Sequence, residues 1–262
     1  MRKDYHTHPQ ILQKPEAFQK FVQVALENGI EEICITDHMP LLNDDATDRI
    51  YHGKVAEYCC RVEQLKEEYR GIISVKCGIE IDYHPTILDE VEAVLKVGKF
   101  DFILGSSHLH AMSKIDIFRE AKTHNGYASA MFENTLAAAK SGLFHAISHI
   151  DMYKWIFTNP DDRFPLEDDG FTESLHAERI EQILETIKAN HMRLEINPHF
   201  AIGKKKPENM YPSVPIVKMA LEKGVRFSFG SDAHVAEDVG GMLPYLRSHE
   251  IYKQALATWE EE

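Results

Sequence analysis

Residues 2–10 read RKDYHTHPQ. His6 and His8 stand one residue apart at the end of the first expected strand. Alternate side chains of a strand share a face, so both imidazoles can converge on one point and offer two ligands to a metal ion. A polar surface strand explains an isolated HxH equally well, so its meaning depends on how the other strands end.

Moving outward, six further short apolar runs follow: EEICITDH (31–38), ISVKCGIEI (73–81), FDFILGSSH (100–108), FHAISH (144–149), MRLEIN (192–197) and VRFSFGSDAH (225–234). Between them lie the longer amphipathic segments 14–29, 56–71, 85–98, 126–142, 173–190 and 212–224. In the first of these, Pro15 suits an opening helical turn, Phe18, Phe21, Val22 and Ala25 form an apolar stripe, and Gly29 follows as a C-cap. Strand and helix signals in alternation predict repeated βα units around a parallel sheet, an α/β barrel. The 262 residues match the roughly 250 of one such barrel, and no low-complexity linker divides them, so 1–262 is read as a single domain. The stretch 153–172, rich in Asp, Pro and Gly, reads as a long loop after the fifth strand.

Apolar residues make up 44% of the chain, but no run approaches the ~20 needed to span a bilayer, and no secretory pattern precedes DYHTH. A soluble, cytoplasmic protein is expected. Cys34, Cys59, Cys60 and Cys77 lack CxxC spacing and read as reduced core residues. The formal charge of −13 disfavours a nucleic-acid partner, the one obvious basic run being Lys204–Lys206. A small substrate is the expected partner, with no membrane; the oligomeric state is left open.

The strand ends carry His6 and His8, Asp37 and His38, Glu80, His108, His149, Asn197, and Asp232 and His234. In a parallel barrel these ends meet on one rim, where active sites are built. By contrast His52, His124, His176 and His249 read as solvated side chains, and His145 and His199 stay unassigned. Apolar strands that end repeatedly in His, Glu or Asp bury costly groups unless something compensates them, and divalent cations do so. Mixed imidazole and carboxylate suits Zn, Mn or Fe, and the donors outnumber the four of one structural zinc, so two or three ions are expected. Such a cluster suits hydrolysis of a phosphate ester. An amidohydrolase-type barrel also begins with HxH but uses a lysine at the fourth strand; here that strand ends GSSH, and Glu80 is placed to bridge metals.

HTH at 6–8, TDH at 36–38, GIEIDYHP at 78–85, GSSH at 105–108, GLFHAISHID at 142–151 and GSDAH at 230–234 occur in that order over nearly the whole chain. In this succession the sequence resembles the polymerase and histidinol phosphatase (PHP) family, in particular its histidinol-phosphate phosphatases. The resemblance implies a distorted (β/α)7 barrel. It implies that His6, His8, Glu80 and Asp232 hold one ion, that Glu80 bridges to a second held by His108 and His149, and that His38 and His234 serve a third. It further implies attack on phosphate by a metal-bound hydroxide, with Glu80, Asp232 and His234 in the catalytic set, Asp37 orienting a ligand or water, and Ser106 and Ser107 structural.

Two departures accompany the likeness. Related phosphatases carry a further His in the loop after HxH, whereas PQILQKPEAF (9–18) has none, leaving Gln10, Gln13 or water to complete the third site. Where the family clamps phosphate with arginines, Arg163 fits the first place and Lys204, Lys205 and Lys206 occupy the second. The expected activity is that of a metal-dependent phosphomonoesterase acting on L-histidinol phosphate in histidine biosynthesis. The alternatives are another small phosphate ester or nucleotide as substrate, or a metal-binding barrel without catalysis.

Overall fold

The β-branched and aromatic runs form eight strands in a computed structural model of the chain, which describes residues 2–41, 52–112, 116–158, 166–204 and 206–260. They are β1 (Lys3–Thr7), β2 (Glu32–Ile35), β3 (His38–Met39), β4 (Ser74–Asp82), β5 (Phe102–Ser106), β6 (Ala146–Ile147), β7 (Arg193–Ile196) and β8 (Arg226–Phe229). Neighbours pair in parallel in the order β1-β2-β4-β5-β6-β7-β8, with β3 beside β4. The curled sheet with its surrounding helices is the distorted barrel expected. Eight strands replace seven because the second expected run breaks at Thr36 and Asp37.

That break has a local cause. Thr36 turns toward β1, its N–H donating to Thr7 O (2.9 Å) and its hydroxyl accepting from Thr7 N (2.9 Å). Opposite it stands Gly78, where a Cβ would lie 2.5 Å from Cys34 Sγ and 2.7 Å from the Thr36 methyl carbon. β2 therefore pairs with the first half of β4 and β3 with the second half, which sets His38 directly across from Glu80.

Every expected helix forms. The first, Ala17–Glu27, buries Phe18, Phe21, Val22 and Ala25, but starts two residues after Pro15 rather than on it. The stretch read as a long loop begins as the helix Tyr153–Thr158, and residues 159–165 lie outside the described part. Two C-terminal helices, Leu243–Ser248 and Glu250–Glu260, were not expected. The second buries Tyr252, Ala255, Leu256 and Trp259, and the Trp259 ring packs edge-on against Tyr5 (4.7 Å) beneath Lys3 and Arg193 at the end of the sheet away from His8. Cys34 and Cys77 are buried as read, whereas Cys59 is half-buried and Cys60 exposed on the outer face of the helix Val55–Glu68. No helix among the described residues is long and apolar enough to cross a membrane.

β1 and β8 close the curl without a regular ladder. Past their ends His8 N donates to Ala233 O (2.8 Å) and Asp232 N to His6 O (2.7 Å). Deeper in the seam the buried Asp4 carboxylate accepts from Ser231 N and Gly240 N, both at 2.9 Å. Substituting Asp4→Ala strands both amides and is expected to cost at least about 2 kcal/mol. Urea denaturation would measure it, and a loss under ~0.5 kcal/mol would mean that the seam closes without the carboxylate.

Candidate metal centre

The strand alternation does bring His6 and His8 to one point. His6 Nε2 lies 3.3 Å from Glu80 Oε2 and 3.6 Å from Asp232 Oδ1, and His8 Nε2 lies 3.5 Å and 3.1 Å from the same oxygens. Bonds of about 2.0–2.2 Å to a tetrahedral cation set its donors roughly 3.3–3.6 Å apart. His6 Nε2, His8 Nε2 and Glu80 Oε2 are buried and make no hydrogen bond. Buried polar atoms are seldom left so, and here they all face one small volume. The donor set fits a divalent cation.

Glu80 turns its other oxygen to a second group. Oε1 lies 3.0 Å from His149 Nε2 and 3.6 Å from His108 Nε2, and those nitrogens are 3.1 Å apart. His38 Nδ1 approaches Glu80 Oε2 at 2.7 Å, while its Nε2 lies 3.3 Å from His234 Nε2. The structure thus gathers His6, His8, His38, Glu80, His108, His149, Asp232 and His234 at one end of the sheet.

Behind these donors lies a layer of which the reading of strand ends named Asn197 alone. Glu195 Oε1 holds His6 Nδ1 at 2.5 Å, and its Oε2 accepts from His149 N and Asn197 Nδ2. Asp82 Oδ1 holds His108 Nδ1 at 2.6 Å, and Asn197 Nδ2 donates to Asp232 Oδ2 at 3.1 Å. Such contacts fix the tautomer and direction of a ligating imidazole. Period-two spacing carried the signal, since Asp82 follows Glu80, and Asn197 follows Glu195, by two positions on buried strands. Ser106, expected to be structural, donates to Glu80 Oε1 at 2.5 Å and so fixes the central carboxylate. Asp37, expected to orient a ligand or water, accepts from Gln10 N and Ile11 N (2.8 and 2.9 Å) and pins the turn after His8.

Backbone geometry serves the same end. Asp232 has φ 56°, a left-handed conformation costly for most residues but tolerated by Asp. Gly230 is needed nearby because a Cβ there would lie 2.2 Å from His6 Cβ and 2.5 Å from Glu195 Oε1.

Burial alone would push the Glu80 carboxyl up; His6, His38 and His108, with a hydrogen bond from His149, hold it well below the usual range. Asp232 is likewise held low against burial by His6 and His199. His6 moves the other way: burial opposes its proton, but Glu195, Asp232 and Glu80 raise it well above the ordinary imidazole value. His8 is pushed well below that value by burial and by His38 and His234, which leaves the ring neutral with one nitrogen free to bind a cation.

A cavity of about 240 Å³ opens on this cluster. It is lined by His38, His108, His149 and Asp232 together with His110, Met152, Trp155 and Tyr211. His199, unassigned from sequence, also lines it. Other histidines lie elsewhere: the His145 ring stacks on Phe102 and accepts from Ile103 N, while His124, His176 and His249 pack against Phe157, Phe171 and Tyr252 instead of standing in solvent. Of the residues expected to hold phosphate, Arg163 and Lys205 lie outside the described part, as does the Lys204 side chain, and Lys206 is exposed.

The family model described as PHP domain matches residues 4–199. The chain is 31% identical over 229 residues to a protein of Deinococcus radiodurans named "Probable histidinol-phosphatase", covering 85% of this chain and 82% of that one. It is 26% identical over 253 residues to the histidinol-phosphatase of Bacillus subtilis, covering 86% and 90%. Its fold is similar to that of the histidinol phosphate phosphatase of Lactococcus lactis, solved with zinc, L-histidinol and phosphate, with a TM-score of 0.75, 21% identity, and 97% and 93% of the two chains covered.

Glu80→Gln replaces the carboxylate between the two donor groups with a neutral amide. Metal analysis after dialysis against Zn or Mn is expected to show at least one ion fewer per chain than in the parent, with the circular dichroism spectrum unchanged. Full metal content in this variant would remove Glu80 from the centre.

Proposed function

Since the chain belongs to the PHP domain family, we propose that it is a metal-dependent phosphomonoesterase that hydrolyses L-histidinol phosphate to L-histidinol and phosphate. The observation that carries this reading is Glu80, one oxygen among His6, His8 and Asp232 and the other among His108 and His149. Two or three divalent ions, Zn, Mn or Fe, at these donors would make water nucleophilic near neutral pH and polarise the phosphoryl oxygens.

The chain's own groups do the rest. Asp82 and Glu195 keep His108 and His6 turned inward, and Asn197 holds the free oxygen of Asp232. The imidazole wall receives the phosphate. Trp155 and His110, with ring centroids 5.3 Å apart and tilted by 54°, and Met152 offer aromatic and apolar surface to the organic part of the ester. An aromatic wall suits the planar imidazole of histidinol, which can stack on it. We assign the outer phosphate contacts to Arg163 and to Lys204, Lys205 and Lys206, because the lysines follow the short helix His199–Lys204 that starts at the cavity. The whole chain, 1–262, acts as one domain in this reading, with histidine biosynthesis as its setting.

Purified protein supplied with Zn or Mn is expected to release phosphate from L-histidinol phosphate in preference to a panel of small phosphate esters and nucleotides, and a chelator to stop the release. Preference for another ester would move the substrate assignment, and no turnover of any ester would leave a binding barrel without catalysis.

Trp155→Ala removes part of this aromatic surface. It is expected to raise KM for L-histidinol phosphate about tenfold, within the range of a lost aromatic contact, with competitive inhibition by inorganic phosphate unchanged. Equal weakening of both would show that the tryptophan shapes the phosphate end instead.

A further inference from the structure

The donors fall unevenly. Glu80 and Asp232 supply the anionic charge for the groups around His6, His8, His108 and His149, whereas the cavity mouth is nearly all imidazole. There the side chain of His234 is 39% exposed, with Nε2 3.3 Å from His38 Nε2, a separation at which two nitrogens can share one cation. Two neutral ligands alone hold a divalent ion poorly. His234 also belongs to a second set, in which donor atoms of His199, Asp232 and His234 all lie within 4.8 Å of one another. The His199 and His234 ring centroids are 5.2 Å apart, and His199 Nδ1 is buried without a hydrogen bond.

We propose that His199 is a ligand of a third divalent cation at the mouth, together with His234 and Asp232, with His38 Nε2 3.3 Å from the His234 nitrogen. This inference rests on the reading of the rim as a cation-dependent centre. His199 is held for such a role. Its N–H donates to Asn197 Oδ1 (3.0 Å), and the Asn197 backbone is paired in both directions with Tyr211 (2.7 and 2.8 Å). The same Asn197 donates to Asp232 Oδ2, so one side chain sets both an inner carboxylate and this outer imidazole. The third ligand therefore comes from the segment after β7 and not from the loop 9–18, which has no histidine.

The test is a competitive titration of the zinc-loaded protein with a chromophoric chelator, followed by metal analysis, on the parent, His199→Ala and Gln10→Ala. Gln10 is the control because its side-chain oxygen is also buried without a hydrogen bond. The parent is expected to give up one ion well before the others. In His199→Ala that weak ion should bind at least about tenfold more weakly, with the tighter ions retained, which also reports an intact fold. Gln10→Ala should titrate like the parent. A weak ion unchanged in His199→Ala, or lost in Gln10→Ala instead, overturns the assignment, as does a parent with no weak ion but a tight pair. A parent that binds no zinc, manganese or iron at all overturns the cation-dependent reading itself.

Discussion

A carboxylate taken out of water is unstable unless opposite charge or donors surround it, and Glu80 is 1% exposed. Nearly every irregularity of the fold serves to surround it. The break between β2 and β3 sets His38 opposite, Thr36 and Gly78 make that break possible, Ser106 reaches over from β5, and the left-handed turn at Asp232 returns a second carboxylate to the same place. A regular barrel would have carried His38 and Asp232 past this point.

The second layer shows a division of labour between charge and direction. Glu195, Asp82 and Asn197 are buried, and each holds one atom of an inner donor. Glu195 and Asp82 add negative charge to a site that is already acidic, and Glu195 raises the proton affinity of His6, which disfavours the protein without its cations. Stability and function thus pull apart here, and divalent charge is what reconciles them.

Much of this was legible in the sequence because strand ends are punctuated by residue type. Seven apolar runs ending in His, Asp, Glu or Asn announced both the parallel sheet and the rim. What failed to show had physical reasons. Glu195 and Asp82 sit inside apolar runs or beyond a more prominent neighbour, so only strict alternation would have singled them out. His199 follows Pro198 in a segment with no periodic signal, and the Asn197–Tyr211 pairing and the bond from its backbone N–H to Asn197 Oδ1 fix its place. The break at Thr36 depends on the absence of a side chain at Gly78, a packing fact invisible to a reading of either strand alone.

The seam between β1 and β8 has a consequence for how the molecule comes into being. His6 and His8 leave the ribosome first, and Asp232 and the Ser231 and Gly240 amides that grip Asp4 come more than 200 residues later. At roughly 5–20 residues per second, the nascent chain waits on the order of 10–40 s with its first histidines unmatched. The centre can take shape only when the ribosome has delivered the segment through Gly240, so a product stalled or shortened before that point exposes an HxH strand with nothing to close over it.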